Sequence, residues 1–312
     1  MSFILLPLLI LLIAMGNCYR DGIPLPFSDD YQVQLWSFFI SNEAFDFWYL
    51  LKENLIIWSV LYISAQLFLY SETSRDLVKD LKFNPKYPSK ILMLKEMIRS
   101  LRGVYICTVY ESIVYRLPLS SSKVFNFLQP SEGNPISLLA VVLGGLVLYL
   151  WGDAHFYFAH RWLHSKWLYK NVHKYHHESY NPTPFSGLSM HWFESMVYFS
   201  AAPLLALTGV PLWLFRLMTK GLLVFPLEGH HGYGTWEVES SCNHYIHHAK
   251  FDYNYGSSPL WDHLLGTDYK MKVGVKGKGN SSEQAMGQGT EEEQKRLESA
   301  REQARLVGCV WE

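Results

Sequence analysis

Apolar and charged residues alternate along this chain in blocks rather than residue by residue. Residues 55–70 (LIIWSVLYISAQLFLY) and 136–152 (ISLLAVVLGGLVLYLWG) carry no charge and approach the length of a bilayer-spanning helix. Residues 103–118 are apolar too, but Glu111 and Arg116 interrupt them. Residues 195–215 are uncharged, and 221–227 continue that character beyond Arg216 and Lys220. Gly209-Val210-Pro211 is a turn signal within this stretch, so 195–227 predicts a short or re-entrant helical hairpin. Residues 2–15 (SFILLPLLILLIAM) are apolar but short for a span, and no positive segment precedes them. They fit a signal peptide or a short anchor equally. A soluble protein with buried helices is the alternative, and so many long apolar runs in one chain disfavour it.

The charges between these runs give an orientation. Residues 71–102 hold Arg75, Lys79, Lys82, Lys86, Lys90, Lys95, Arg99 and Arg102, whereas 17–44 hold only Arg20 and 119–135 only Lys123. The excess of basic residues predicts that 71–102 face the cytosol. The span at 136–152 then returns the chain to that side, so everything from His155 onward is expected at the cytosolic membrane surface. Residues 274–290 (GVKGKGNSSEQAMGQGT) read as flexible linker, and 291–306 as a charged, solvated helix.

Bulk composition adds little beyond exclusions. A net charge of −1 gives no reason to expect nucleic acid as a partner. The four cysteines form no CxxC pair, so a zinc ribbon or thioredoxin-like site is unsupported.

The histidines change the picture. All 13 lie between His155 and His263. Eight fall into three clusters: His160 and His164 (HRWLH); His173, His176 and His177 (HKYHH); His244, His247 and His248 (HYIHH). On a helix, i, i+3 and i, i+4 positions share a face, so each cluster is expected to present its imidazoles in one direction. His191 (MHWFE) and His230 (LEGHHGYG) flank the predicted hairpin and are candidate further ligands. His231 cannot point with His230, and His155 lies well round the helix from His160. Both are expected beside the site rather than in it, and His263 is expected to be structural. Imidazole suits zinc, copper, iron and nickel. Eight to ten neutral ligands exceed what one ion takes, so a dinuclear site follows. Asp153, Glu178, Glu194, Glu228 and Asp262 are candidates to accept the outer imidazole N–H. Phe156, Phe158, Trp192 and Phe193 are candidates to line an apolar substrate cavity.

The order DAHFYFAHRWLH, HKYHH, PTPF, HWFE, HHGYG, HYIHH and FDYNYGSSPLWDHLLGT resembles the fatty acid hydroxylase/sterol desaturase superfamily over about 150–269. Residues 87–102 give a weaker echo. FDYNYG and PTPF are most similar to sterol ring desaturases of the lathosterol oxidase kind; HHGYG leans toward sterol hydroxylases and methyl oxidases. The resemblance implies a membrane enzyme with two iron ions on the cytosolic side. It would use dioxygen and electrons from a small b-type cytochrome, with its NAD(P)H-dependent reductase, to desaturate or hydroxylate a lipid. It places the ligands on His160, His164, His173, His176, His177, His230, His244, His247 and His248, with His191 in an accessory position. Two departures stand out: MHWFE replaces a more usual His-Pro pair, and His231 stands where a small residue is common.

The expected architecture is therefore all-α. An integral membrane helical bundle would carry a cytosolic helical cap with a histidine-rich dinuclear site, in the endoplasmic reticulum membrane. Its divisions are an N-terminal apolar segment and lumenal loop (1–44), transmembrane helices (45–152), a catalytic region (153–270) including the hairpin, and a polar tail (271–312). A sterol is the expected substrate, with fatty-acid or ether-lipid hydroxylation as the alternative in the same superfamily. A metal carrier would place its ligands inside the apolar runs, and a haem protein would need only two axial histidines. Neither matches three clusters lying outside those runs.

Overall fold

The computed structural model describes residues 46–71, 82, 87–117, 123–128, 138–179, 181–233 and 238–269. The apolar segment 2–15, the linker at 274–290 and the terminal helix expected at 291–306 lie outside the described residues. Among those described, the protein is all-α; one isolated bridge, Lys82 to Tyr233, is the extent of β pairing there.

Helix α1 (Phe47–Trp58) runs through a π-helical turn, Ser59–Ile63, into α2 (Ser64–Tyr70). Helix α3 spans Lys90–Arg116 and α4 spans Leu138–Leu163. A short helix α5 (Lys166–Leu168), a second π turn (Tyr169–His173) and α6 (Lys174–His177) follow. Then come α7 (Trp192–Phe199), α8 (Ala201–Ala206), α9 (Leu212–His230), α10 (Val238–Lys250) and α11 (Pro259–Leu264). The turn expected at Gly209-Val210-Pro211 separates α8 from α9, with Gly209 at φ 81°, a conformation in which a Cβ is strained.

Two stretches, Phe47–Tyr70 and Leu139–Leu163, are long and apolar enough to cross a membrane. Only 17% and 22% of their apolar windows are buried inside the protein, whereas a soluble core helix would be mostly buried. Leu139, Val142, Leu146 and Leu150 form an exposed stripe at helical spacing along α4. Such a stripe marks a surface made for an apolar partner, whether bilayer or protein. Residues 103–118 do not form a helix of their own. Residues 103–116 complete α3, whose first half carries the basic residues of 90–102.

The chain forms two compact units. Of the described residues, the first comprises those up to Ile56, within Val104–Gly152 and within Met196–Leu223. Within it, a Cβ on Gly144 would stand 2.7 Å from the Trp213 ring, so glycine lets α4 and α9 meet closely. A charged network is buried among its apolar helices. Arg216 donates to both Glu53 carboxylate oxygens at 2.8 and 3.0 Å. Lys220 donates to Asn54 Oδ1 at 2.6 Å and to both Glu111 oxygens at 2.9 Å. The Asn54 amide closes the circuit by donating to Thr108 and Glu111. Two cations therefore face two carboxylates, which is how charge persists in a dry interior.

Of the described residues, the second unit comprises those within Ile57–Gly103, within Asp153–Ser195 and from Val224 to Tyr269. It contains every histidine.

Candidate metal centre

Nine imidazoles converge in two groups. One is His160, His164, His173, His177 and His247; the other is His176, His230, His244 and His248. Within each group the inward nitrogens all lie within 4.8 Å of one another. The groups adjoin, with the His177 and His248 rings 4.6 Å apart between centroids.

The assortment departs from one direction per cluster. HKYHH contributes His173 and His177 to the first group and His176 to the second. HYIHH contributes His244 and His248 to the second and His247 to the first. The physical reason is helical phase. An i, i+4 pair is offset by about 40° around the axis, whereas i+3 falls about 60° the other way. Thus i and i+4 aim together and the intervening histidine aims across. The π turn ending at His173 sets the phase of the middle cluster.

The outer nitrogens fix the tautomers. His160 Nδ1 lies 2.8 Å from the Tyr255 carbonyl, His247 Nδ1 2.7 Å from that of Tyr253, and His230 Nδ1 2.8 Å from that of Pro226. His173 Nδ1 lies 2.7 Å from Glu194 Oε1. A carbonyl can only accept, so those Nδ1 atoms carry the hydrogen and each neutral ring turns a bare Nε2 lone pair inward. His160 and His173 Nε2 are 3.1 Å apart. Two lone pairs that close repel, and a cation between them converts repulsion into ligation. Two nitrogens each ~2.1 Å from one ion, at about a right angle, stand about 3 Å apart. The same reasoning holds for His230 Nε2, which faces those of His176, His244 and His248 at 3.1, 2.8 and 3.3 Å. The residues fit a metal in each group.

Burial keeps these rings neutral. It pushes His164 down to about 2, with the neighbouring His160 adding to the effect, and His230 down to about 3. His173, His176, His177, His244, His247 and His248 are held well below the ordinary imidazole value by burial first and by one another second. The His173–Glu194 contact is therefore a neutral N–H on a carboxyl rather than an ion pair. Glu194 is itself buried and sits in the first turn of α7.

Local structure explains the aim of the rings. Just past α10, Phe251 (φ 64°) and Asn254 (φ 56°) adopt left-handed conformations. The chain turns back there, and the Tyr253 and Tyr255 carbonyls reach His247 and His160. Asn254 is held in place because its side chain donates to the Asn243 carbonyl and accepts from the Tyr269 N–H. The Phe251 ring covers His177 at 5.0 Å between centroids. Below His230, Pro226 lies inside α9 and its carbonyl is crowded by Gly187, where a Cβ would come within 2.4 Å of it. A proline leaves the carbonyl four residues back without its helical donor. The Tyr198 hydroxyl donates to that carbonyl, Leu222, at 3.0 Å.

His191 stands outside both groups. Its ring stacks on Tyr175, and its Nδ1 accepts the Phe193 N–H at the start of α7, a capping role that sequence spacing does not distinguish from ligation. His231 similarly accepts the Tyr233 N–H. His263 is exposed. Of the acids weighed from sequence, Glu194 meets a ligand. Asp153 instead accepts from Ser257 and Ser258, Glu178 pairs with Arg99 at 2.8 Å, and Asp262 accepts from Tyr255, Gly256 and Thr267. Of the candidate lining aromatics, Phe156 packs on His160 (5.1 Å), whereas Phe158 packs on Trp261 and Trp192 is exposed.

Sequence spacing gave no sign of two supports beneath the site. Glu96 is buried and accepts from the Ser179 and Thr183 hydroxyls; burial raises it to about 7. Lys82 donates to Asn181 Oδ1 at 2.8 Å and lies over the rings of Tyr70, Tyr87 and Tyr233. Both anchor the loop that follows His177.

Fold and site together define an all-α protein with two adjoining imidazole groups built for metal. Residues 145–267 match the fatty acid hydroxylase family model. That stretch holds all 13 histidines. The chain is 33% identical to a delta(7)-sterol 5(6)-desaturase of Candida glabrata over 37% of this chain and 33% of that protein. It is 29% identical to rat lathosterol oxidase over 75% and 78% of the two chains, and 35% identical to Arabidopsis thaliana methylsterol monooxygenase 2-1 over 38% and 44%. The chain spans about a third of the length of the fungal sterol desaturases it matches. No solved structure matches it.

Proposed function

We propose that this chain is a dioxygen-dependent di-iron oxidoreductase that desaturates or hydroxylates a membrane lipid, with a sterol as the substrate class. The observation that carries the reading is the pair of adjoining imidazole groups whose inner nitrogens face one another at about 3 Å, with the outer nitrogens of His160, His173, His230 and His247 committed to acceptors. The names borne by the relatives supply the sterol, and the exposed apolar stripes support a bilayer around the helices.

In this reading His160, His164, His173, His177 and His247 hold one iron, and His176, His230, His244 and His248 the other. His191 caps a helix instead. Bound iron would supply activation of dioxygen against an unactivated C–H bond. The protein's part is preorganisation. Carbonyls of Pro226, Tyr253 and Tyr255 and the Glu194 carboxyl lock the rings, and burial keeps them neutral and excludes water. The catalytic region is 153–270, facing the cytosol of the endoplasmic reticulum membrane, with the basic stretch 71–102 on the same side. Electrons come from a small b-type cytochrome and its NAD(P)H-dependent reductase.

Metal analysis of the purified protein tests the first step: about two irons per chain is expected, and haem absorbance or an iron-free protein overturns it. Lipid analysis after deletion in the native cell tests the second. An accumulating sterol intermediate supports the assignment; altered fatty-acid or ether-lipid chains transfer the activity to another substrate. His176→Ala is expected to abolish turnover with unchanged membrane insertion, and retained turnover contradicts the ligand assignment.

A further inference from the structure

The turns that carry His164 and His173 inward present a different chemistry outward. Between Ala154 and His177 the sequence holds no acidic residue, while Arg161, Lys166, Lys170 and Lys174 are all exposed. Interleaved with them are indoles: Trp167 is 69% exposed and Trp162 51%. Trp192 is exposed too, and the Phe193 ring bridges it to Trp162, with centroids 5.9 and 6.2 Å away. The face is not a loosened core, because Leu163, Leu168 and Val172 are buried beneath it with Phe193 packed against them.

We propose that the outer face of residues 161–174, together with Trp192, docks on anionic phospholipid head groups, so that the segment bearing His164 and His173 rests on a charged bilayer surface. This rests on the membrane reading above and adds the lipid that the face selects. Two observations favour a bilayer over an acidic protein. The exposed apolar side chains of α4, at 139, 142, 146, 150 and 158, lead directly to Trp162 at the helix end. Indoles are enriched where a span leaves the hydrocarbon. The lysines then follow the indoles immediately, at head-group depth, where a basic side chain is attracted to anionic lipid. Long lysine stems can reach into that layer while Trp167 inserts.

The test uses the full-length protein, labelled with 5-fluorotryptophan, in nanodiscs of phosphatidylcholine with a minor fraction of phosphatidylserine. Resonances are assigned with Trp48→Phe, Trp162→Phe, Trp167→Phe and Trp192→Phe. Lipids spin-labelled in the head group, either phosphatidylserine or phosphatidylcholine, are added in turn. The Trp167 resonance is expected to broaden with both, with a preference for phosphatidylserine of roughly fivefold or more at low salt. Lys166→Gln/Lys170→Gln should erase the preference without changing metal content. Equal broadening by the two lipids, or none at Trp167, overturns the proposal. So does displacement of the effect by a soluble acidic cytochrome domain, which would assign the face to a protein partner. Trp48, exposed on α1, reports separately on the membrane reading: if it responds to chain-labelled lipid while Trp167 stays silent to head-group label, only this inference fails. If Trp48 is silent as well, the membrane reading fails with it.

Discussion

The two compact units bury polar groups in opposite ways. In the first, Arg216 and Lys220 meet Glu53 and Glu111, and the Asn54 amide joins the pairs; each charge has its complement within the chain. In the second, nine imidazoles are gathered with their acceptors pointing at one another. The first cluster matches its charges internally, as a structural network does. The second is complete only with something added. An internally balanced network is a device for holding helices, whereas an internally frustrated one is a receptor.

Acid should break this comparison most widely. The folded imidazoles sit below the ordinary 6.5, His164 at about 2 and His230 at about 3. The unfolded chain therefore takes up protons first as pH falls. The stability contributed by neutral rings is complete above about 6.5 and is lost progressively below it. Lowering the pH from about 7.5 to about 5 is expected to release metal and to lower the melting temperature of the metal-free protein, as followed by metal analysis and calorimetry. A melting temperature independent of pH over that window would contradict the burial argument.

A cut to the balanced network should act on folding alone. Lys220→Met leaves Glu111 buried without its cation, at a cost of about 3–5 kcal/mol. The yield of folded protein and its melting temperature should fall, while the molecules that do fold carry as much metal as before. Metal loss in proportion to the charge change, at unchanged stability, would mean that this network too serves the metal. Glu194→Gln should have the smallest effect. The amide keeps an acceptor for the His173 N–H but lacks the carboxylate's basicity, so metal affinity should drop about 10–100-fold while the melting temperature of the metal-free protein barely moves.

Much of the site was legible in the spacing of the histidines, because i, i+3 and i, i+4 recurrence has few other uses. What spacing could not show was how the clusters divide. That depends on where other helices place their own rings, so His176 and His177 are neighbours in sequence and serve different groups. Nor could spacing separate His191 from a ligand, since a capping imidazole and a coordinating one look alike before the backbone is placed. The acid at position 111 weakened the reading of 103–118 as a span because its partner, Lys220, is remote in sequence. The ring-setting carbonyls were hidden for a different reason. Every residue has one, and only the placed backbone, such as the left-handed turn at Phe251 and Asn254 or the helix around Pro226, shows which are aimed at an imidazole.

The contact between Gly187 and the Pro226 carbonyl makes one ring's bearing depend on an absent methyl group. There is no space for even the smallest side chain at that loop position. Adding one would press on the peptide that steers His230 rather than on any ligand. Sequence drift there has no gentle first step, and a change silent by every measure of charge or hydrophobicity would be read out at the metal.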